Sequence, residues 1–415
     1  MKNDLKNVTE VISKCVAFIN SYREFLGCHI VEFYEKNLWN TVFPHEWRSY
    51  FEETCFNEEM ANDLVLKFLE EKDFKDFPET LRIYLKTCFD LSIFHNPEYQ
   101  KDLFETSIPY PQNYEKKLPE LLKVGMNDKK IHEVSKLSSF LDVISKDLDL
   151  DFVIDVGCGK GYLTSALALL MRESRIMGFD FRSTQISGAI GRCDLITKKS
   201  RGKLQFDNLC FKESFVDKGL LNKEQQPFVL TSLHSCGNLS STMIATFCEN
   251  YNCKLLLNVG CCYNMLTEKH DNENFGFPLS SVLINAGFSL GSRMKNLACH
   301  FPESILDSKE EITKHHYRAM LQRKGIEDIK VERNRTHKTW GDYLKSISKS
   351  TNVSGITDDH DVEADFVVSS SVLESLIILD RLLYLLENGH DAKLVNIFDR
   401  AVSPRCIAIL AHKTK

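Results

Sequence analysis

The run Val153-Ile154-Asp155-Val156-Gly157-Cys158-Gly159-Lys160-Gly161-Tyr162-Leu163 constrains the fold of this chain more than any other feature. An apolar strand ends in a turn of three alternate glycines, and the turn opens a helix. Glycine allows backbone conformations and close approaches that a side chain would block. The pattern sits at the head of an alternating series. Strands are expected at 152–156, 175–180, about 204–211, 227–233 and 254–260, with helices at 161–172, 182–198 and 239–250. Such alternation makes a parallel sheet with helices on both faces. Two further strands, about 392–398 and 405–411, flank a Ser403-Pro404 turn, and a short turn makes them antiparallel. The fold class is therefore α/β and Rossmann-like, with an antiparallel last strand.

Outside this series the chain reads differently. Residues 1–125 show helical patterns with aromatic anchors, including Trp39 and Trp47 around Pro44, and Pro109 and Pro111 mark a loop. A helix at about 130–146 follows, its stripe formed by Ile131, Val134, Leu137, Leu141 and Ile144. Residues 290–367 are polar and irregular, as an insertion would be. A helix at 369–388 carries Val372, Leu376, Leu379, Leu383 and Leu386 on one face, and Gly389 closes it. The expected organisation is a helical region at 1–125 and a domain at 126–415 interrupted at about 290–367.

The glycines of the turn run G-x-G-x-G, not G-x-G-x-x-G, and Asp155 stands before them. An acidic residue there repels a pyrophosphate and suits the amino group of a methionine moiety. Twenty-five residues on, the second strand ends in Asp180, a carboxylate that can accept both hydroxyls of a ribose. These residues fit S-adenosylmethionine better than NAD, with Asp155, Gly157, Cys158, Gly159, Gly161 and Asp180 as the cofactor-binding set. The fourth strand, beside the first in such a sheet, ends in His234-Ser235-Cys236-Gly237-Asn238. His234 is the candidate to orient or deprotonate a nucleophile, since an imidazole exchanges protons near neutral pH. Asn238 is expected to cap the next helix. Lys130 and His132, with Lys129, are candidates to line the substrate cleft. Cys236, Cys261 and Cys262 are irregularly spaced, so they read as packing residues and no metal ion is expected.

Together these segments resemble the methyltransferase-like protein 25 family, also labelled a ribosomal RNA adenine dimethylase domain-containing group. The resemblance is carried by Met126–Val134, the glycine turn, His234–Gly237, Val259–Tyr263, Phe277–Ser280, Leu379–Leu385 and Ser403–Arg405. It implies a seven-stranded class I S-adenosylmethionine-dependent methyltransferase fold with a helical N-terminal extension. The family has Asp where this chain has Asn238, which puts a general base there in doubt. A family of tRNA ribose 2′-O-methyltransferases is similar more distantly, through a His-x-Cys-Gly turn and a Cys-Cys pair like those here. Asn/Asp-Pro-Pro-Tyr motifs, which amino-methylating adenine enzymes show, are absent.

The net charge of −6 hides a gradient: residues 151–350 carry 27 Lys and Arg against 21 Asp and Glu. The stretch Lys198–Lys203, and residues 314–338 with Tyr317 and Trp340 nearby, suit phosphate contact and base stacking. The expected activity is methyl transfer to a hydroxyl or amine of RNA, such as tRNA or rRNA. The alternatives are a protein substrate or partner subunit, or a silent cofactor-binding scaffold. Neither DNA nor a membrane is expected as a partner. The first residues, MKNDLKNVTEV, lack an apolar signal core, so a cytoplasmic or nuclear location is expected.

Overall fold

The computed structural model describes residues 2–28, 36–54, 58–70, 74–104, 116–221, 224–269, 275–301 and 368–413. The loop expected at 108–112, most of the 290–367 insertion and the basic stretch 314–338 lie outside the described residues. The chain divides into two compact units. One comprises Met1–Ile12, Pro97–Ser289 and Ile377–Lys415; the other comprises Ser13–Asn96 and Leu290–Leu376.

In the second unit, short helices gather around Trp47. Its ring packs with Tyr22, Phe25 and Tyr84, and its Nε1 donates to Thr80 Oγ1 at 2.9 Å. The indole is fully buried, so its polar atom needs that partner.

The first unit holds a seven-stranded sheet. Its strands are β1 (Phe152–Val156), β2 (Arg175–Asp180), β3 (Leu209–Glu213), β4 (Phe228–Cys236), β5 (Cys253–Cys261), β6 (Asp391–Asn396) and β7 (Ile407–His412). Their order is β3-β2-β1-β4-β5-β7-β6. The first five are parallel, and β7 runs antiparallel to both neighbours. This is the class I methyltransferase sheet. All five residues of β1 are buried, as a central parallel strand requires. Helices Tyr162–Leu170, Ser183–Lys199 and Asn238–Glu249 make the crossovers. Helix Ser370–Glu387 ends at Gly389, whose φ of 77° and bond to Leu386 O make the expected cap.

The third strand begins later than the sequence suggests, at Leu209 and not about 204. Arg201 and Gly202 both have positive φ, forming a turn that Ser200 Oγ fastens to the Leu204 N–H. Asn208 Nδ2 then donates to the carbonyls of Ala168, Met171 and Ser174, and its own carbonyl accepts from the Ile176 N–H, which fixes the point where the chain enters the sheet. At the other end of the expected range, the strand continues to Glu213.

The crossovers after β1 lead toward β2 and β3, whereas β4 lies on the opposite side of β1. A ligand crevice forms where the strand order reverses, outside the carboxyl ends of the strands. The glycine turn follows β1 and His234 lies near the end of β4, so they flank that point. Lys198–Lys203 does not. Helix Ser183–Lys199 returns the chain to the amino ends of the strands, so this basic turn lies at the opposite edge of the sheet.

Candidate functional site at the β1–β4 crevice

The glycine turn is closed by its own hydrogen bonds. Gly157, Gly159 and Gly161 have φ of 71°, 54° and 69°, which only glycine adopts cheaply. The N–H groups of Gly157 and Cys158 both donate to Phe179 O, and that of Gly161 donates to Cys158 O. The Gly159 N–H donates to Asp180 Oδ2 at 3.0 Å. Four N–H groups of the turn are therefore already engaged. A Cβ on Gly161 would stand 2.6 Å from Phe211 Cζ, so this glycine serves packing. A Cβ on Gly159 would meet only Gln185 Oε1, at 4.0 Å, so the space over this glycine is open to a ligand.

The two carboxylates lie beneath the turn. Asp180 is 4% exposed, and its Oδ1 accepts from the Arg182 N–H at 3.0 Å. Asp155 is 1% exposed, and its Oδ2 accepts from Thr164 Oγ1 at 2.7 Å. Burial pushes the Asp155 carboxyl up to about 7; Thr164 opposes the shift and the Asp180 charge adds to it. The Cys158 thiol is also pushed far up, by burial and then by both carboxylates, so it stays protonated. Phe181, next to Asp180, is 62% exposed, and Phe215 beyond β3 is exposed as well. Open space over Gly159, a carboxylate at the end of β2 and an exposed aromatic ring beside it fit an adenosyl group carrying an amino acid.

Across the crevice, β4 carries a bulge. Ser232 pairs with Asn258, yet Ser235 pairs with Gly260, so β4 has one residue more than β5 between these pairs. A bulge re-aims side chains, and here it delivers His234. The His234 ring is 32% exposed, with Nε2 3.1 Å from Glu133 Oε2. Glu133 comes from helix Asp128–Asp147 and is 1% exposed. Ser403 Oγ donates to its Oε1 at 2.8 Å, and Lys130 Nζ stands 3.4 Å from Oε2. Burial alone would raise the Glu133 carboxyl. The His234 hydrogen bond and charge, then Lys130 and Ser403, outweigh burial and hold it at about 2. An ionised carboxylate only accepts, so Nε2 of His234 is the protonated nitrogen. In the neutral ring, Nδ1 then carries the lone pair.

Sequence reasoning singled out the neighbours of Glu133 and missed the residue itself. The signal was present: Glu133 sits four residues before Leu137 on the buried stripe, where a lone carboxylate needs partners. Lys130 belongs to this cluster. His132 does not turn to an open cleft; its Nε2 accepts from the Asp399 N–H at 3.0 Å and its ring meets Phe398. It fastens the β6–β7 connection, which carries Ser403, to the same helix.

Asn238 also does other work than expected. The N-cap position falls on Gly237. The Asn238 side chain accepts from the Thr267 N–H and donates to Thr267 Oγ1. Asp380 accepts from the N–H groups of Leu279 and Ser280, and buried Arg381 lies over the Tyr263 ring. Those segments of the resemblance are thus explained by packing.

At the ends of β4 and β5, the Cys236 and Cys261 sulfurs are 3.3 Å apart, and Cys262 lies 3.6 Å from Cys261. Their contact holds the Cys236 thiol below the usual thiol range and drives that of Cys261 well above it.

Residues 129–269 match the family profile described as Methyltransferase domain. The matched stretch begins at Lys129 in the helix that carries Glu133 and runs past the end of β5, so it includes the glycine turn and His234. The mouse (Mus musculus) protein named Probable methyltransferase-like protein 25 is 27% identical over 222 residues, 45% of this chain and 37% of the relative. The human (Homo sapiens) protein of that name is 28% identical over 227 residues, 46% of this chain and 38% of the relative. The alignments thus span well under half the length of these relatives. Among solved structures, the SAH-bound Podospora anserina methyltransferase PaMTH1 is similar at 12% identity. Its TM-score is 0.26, with 62% of this chain and 88% of that one covered. Human N-acetylserotonin methyltransferase in complex with SAM is similar at 14% identity and a TM-score of 0.20, covering 55% and 57%. Both likenesses are slight. No described helix is long and apolar enough to cross a membrane.

Proposed function

We propose that the methyltransferase domain transfers the methyl group of S-adenosylmethionine to a hydroxyl or amine of RNA. The observation that carries this reading is the His234–Glu133 pair, set across the crevice from a glycine turn whose donors are already engaged. In the proposed complex, Gly157 and Gly159 border the methionine moiety, Gly161 packs the turn against Phe211, Asp180 receives the ribose hydroxyls and Phe181 covers the adenine. Asp155 acts from beneath the turn, through Thr164. The bound donor supplies an electrophilic methyl group on a sulfonium.

The residues of the chain then hold the acceptor. Nδ1 of His234 accepts a hydrogen bond from the acceptor O–H or N–H and takes its proton. Glu133 fixes the ring through Nε2 and faces the resulting imidazolium, which it stabilises. Ser403 and Lys130 hold Glu133 in turn. Catalysis is mainly alignment, which can supply several kcal/mol of the barrier.

Four cations on the carboxyl side of the sheet support a polyanionic acceptor. Lys129 and Lys130 stand beside Glu133, Lys160 belongs to the glycine turn and Arg182 follows β2. The more distant resemblance, to tRNA ribose 2′-O-methyltransferases, points the same way.

The test is methyl-labelled S-adenosylmethionine added to a lysate lacking this protein, with and without the purified chain. Label that depends on the chain, is lost with RNase and is lost in His234→Ala supports the reading. Label in the protein fraction would replace RNA by a protein substrate. No chain-dependent label, despite donor binding, would leave a silent scaffold.

A further inference from the structure

Three thiols converge beyond the described site, and two departures from regular strand geometry bring them together. On a regular β4, four residues after Ser232 would stand opposite Cys262. The bulge places Cys236 opposite Cys261 instead. Successive side chains of a strand point to opposite faces, so Cys261 and Cys262 would diverge on an extended chain. Cys262 has φ 50° and ψ 54°, a left-handed conformation that turns its thiol back. For a non-glycine residue this conformation costs about 1–2 kcal/mol. Such strain persists where surrounding structure enforces it, often at a ligand clamp. The three sulfurs lie within 4.8 Å of one another.

We propose that Cys236, Cys261 and Cys262 form a three-thiolate site for a zinc ion. A tetrahedral zinc with Zn–S of about 2.3 Å sets its sulfurs about 3.8 Å apart. The observed separations of 3.3 and 3.6 Å need only small side-chain shifts to reach that value. A disulfide would join two of the thiols and leave the third unused, whereas one soft cation uses all three. Each thiol that binds releases its proton to solvent, so up to three protons leave as the ion enters. Cys236 is exposed and Cys261 buried, so the fourth position of the tetrahedron lies toward solvent, open to water or to a heteroatom of the acceptor. The irregular sequence spacing of these cysteines is no obstacle, because adjacent strands set their separation.

Metal binding is measured without donor or acceptor, so its outcome is independent of the methyl-transfer reading. The full chain, purified under reductant from zinc-supplemented cells and desalted, is expected to retain one zinc per chain by elemental analysis. After chelation, cobalt(II) titration should give a sulfur-to-cobalt charge-transfer band and the intense visible bands of a tetrahedral site. Cys236→Ser, Cys261→Ser and Cys262→Ser should each weaken zinc at least tenfold in chelator competition. Cys210→Ser, on β3, should leave it unchanged. The wild-type cobalt spectrum stands even if a serine variant fails to fold. No charge-transfer band in the reduced wild-type chain would overturn the proposal. So would retention of copper in place of zinc, or undiminished binding in the folded triple serine variant.

Discussion

Alanine at Gly159 and alanine at Gly161 should fail for different reasons. Both glycines have positive φ, so either substitution costs about 1–2 kcal/mol of backbone strain. At Gly161 the new methyl also stands 2.6 Å from Phe211 Cζ and 3.0 Å from Ala189 Cβ. Overpacking of this kind adds about 1–3 kcal/mol. Gly161→Ala should therefore lose about 2–5 kcal/mol in all, at about 2–4 °C of melting midpoint per kcal/mol. At Gly159 the methyl enters space bounded only by Gln185 at 4.0 Å, so the fold loses the strain energy alone. That space is where the methionine end of the donor is placed. Gly159→Ala should weaken S-adenosylhomocysteine at least tenfold in calorimetry, about 1.4 kcal/mol or more. Thermal melting and calorimetry on both variants separate the effects. Equal melting midpoints for the two variants, or wild-type affinity in Gly159→Ala, would refute the reasoning.

Other outcomes follow from the same geometry. Glu133→Gln, which removes the charge facing a protonated His234, should lower kcat/KM about 10²–10⁴-fold while donor affinity stays within a few-fold; unchanged turnover would remove Glu133 from the mechanism. The Glu133 carboxyl, held at about 2 against an ordinary 4.5, stabilises the fold fully above pH 4.5, and that stability fades as pH falls toward 2. Linkage sets its ceiling at about 3 kcal/mol, and Glu133→Gln should flatten the acid limb of a denaturation series by that amount. Asp155 has the opposite sign: with its carboxyl raised from 3.8 to about 7, its contribution is complete below pH 3.8 and lost as pH rises through 7. Asp155→Asn should therefore gain stability relative to wild type as pH rises from about 4 to about 7, by at most about 4 kcal/mol, and a flat difference across that range would contradict the burial argument. Ser403→Ala should lower turnover less than Glu133→Gln does, because it removes one neutral donor from a carboxylate that keeps His234.

The sheet was legible because its inner strands are buried on both faces and read as short apolar runs. The glycine turn was legible because three positive φ angles at alternate positions leave glycine little competition. What lay hidden depends on contacts remote in sequence. Glu133 and His234 are 101 residues apart, and nothing local to either announces the other. The fourth strand was expected to stop at Leu233, where the apolar run gives way to His234, Ser235 and Cys236. It continues because β4 and β5 share a polar seam, in which Thr231 and Ser235 donate to Leu257 O and Val259 O and Asn258 donates to Ser235. Hydroxyls matched by a partner strand look like loop residues when read alone. Asn238 misled for a similar reason: its residue type suits a helix cap, but a bond partner at Thr267 decided its role.

Calorimetric titration of the full chain with S-adenosylhomocysteine and, separately, with NAD tests the central claim most directly. One equivalent of the homocysteine compound should bind, with affinity lowered at least tenfold in Asp180→Ala, and NAD should give no heat of binding. Binding of NAD by the folded chain, or no binding of the adenosyl ligand, would contradict the account.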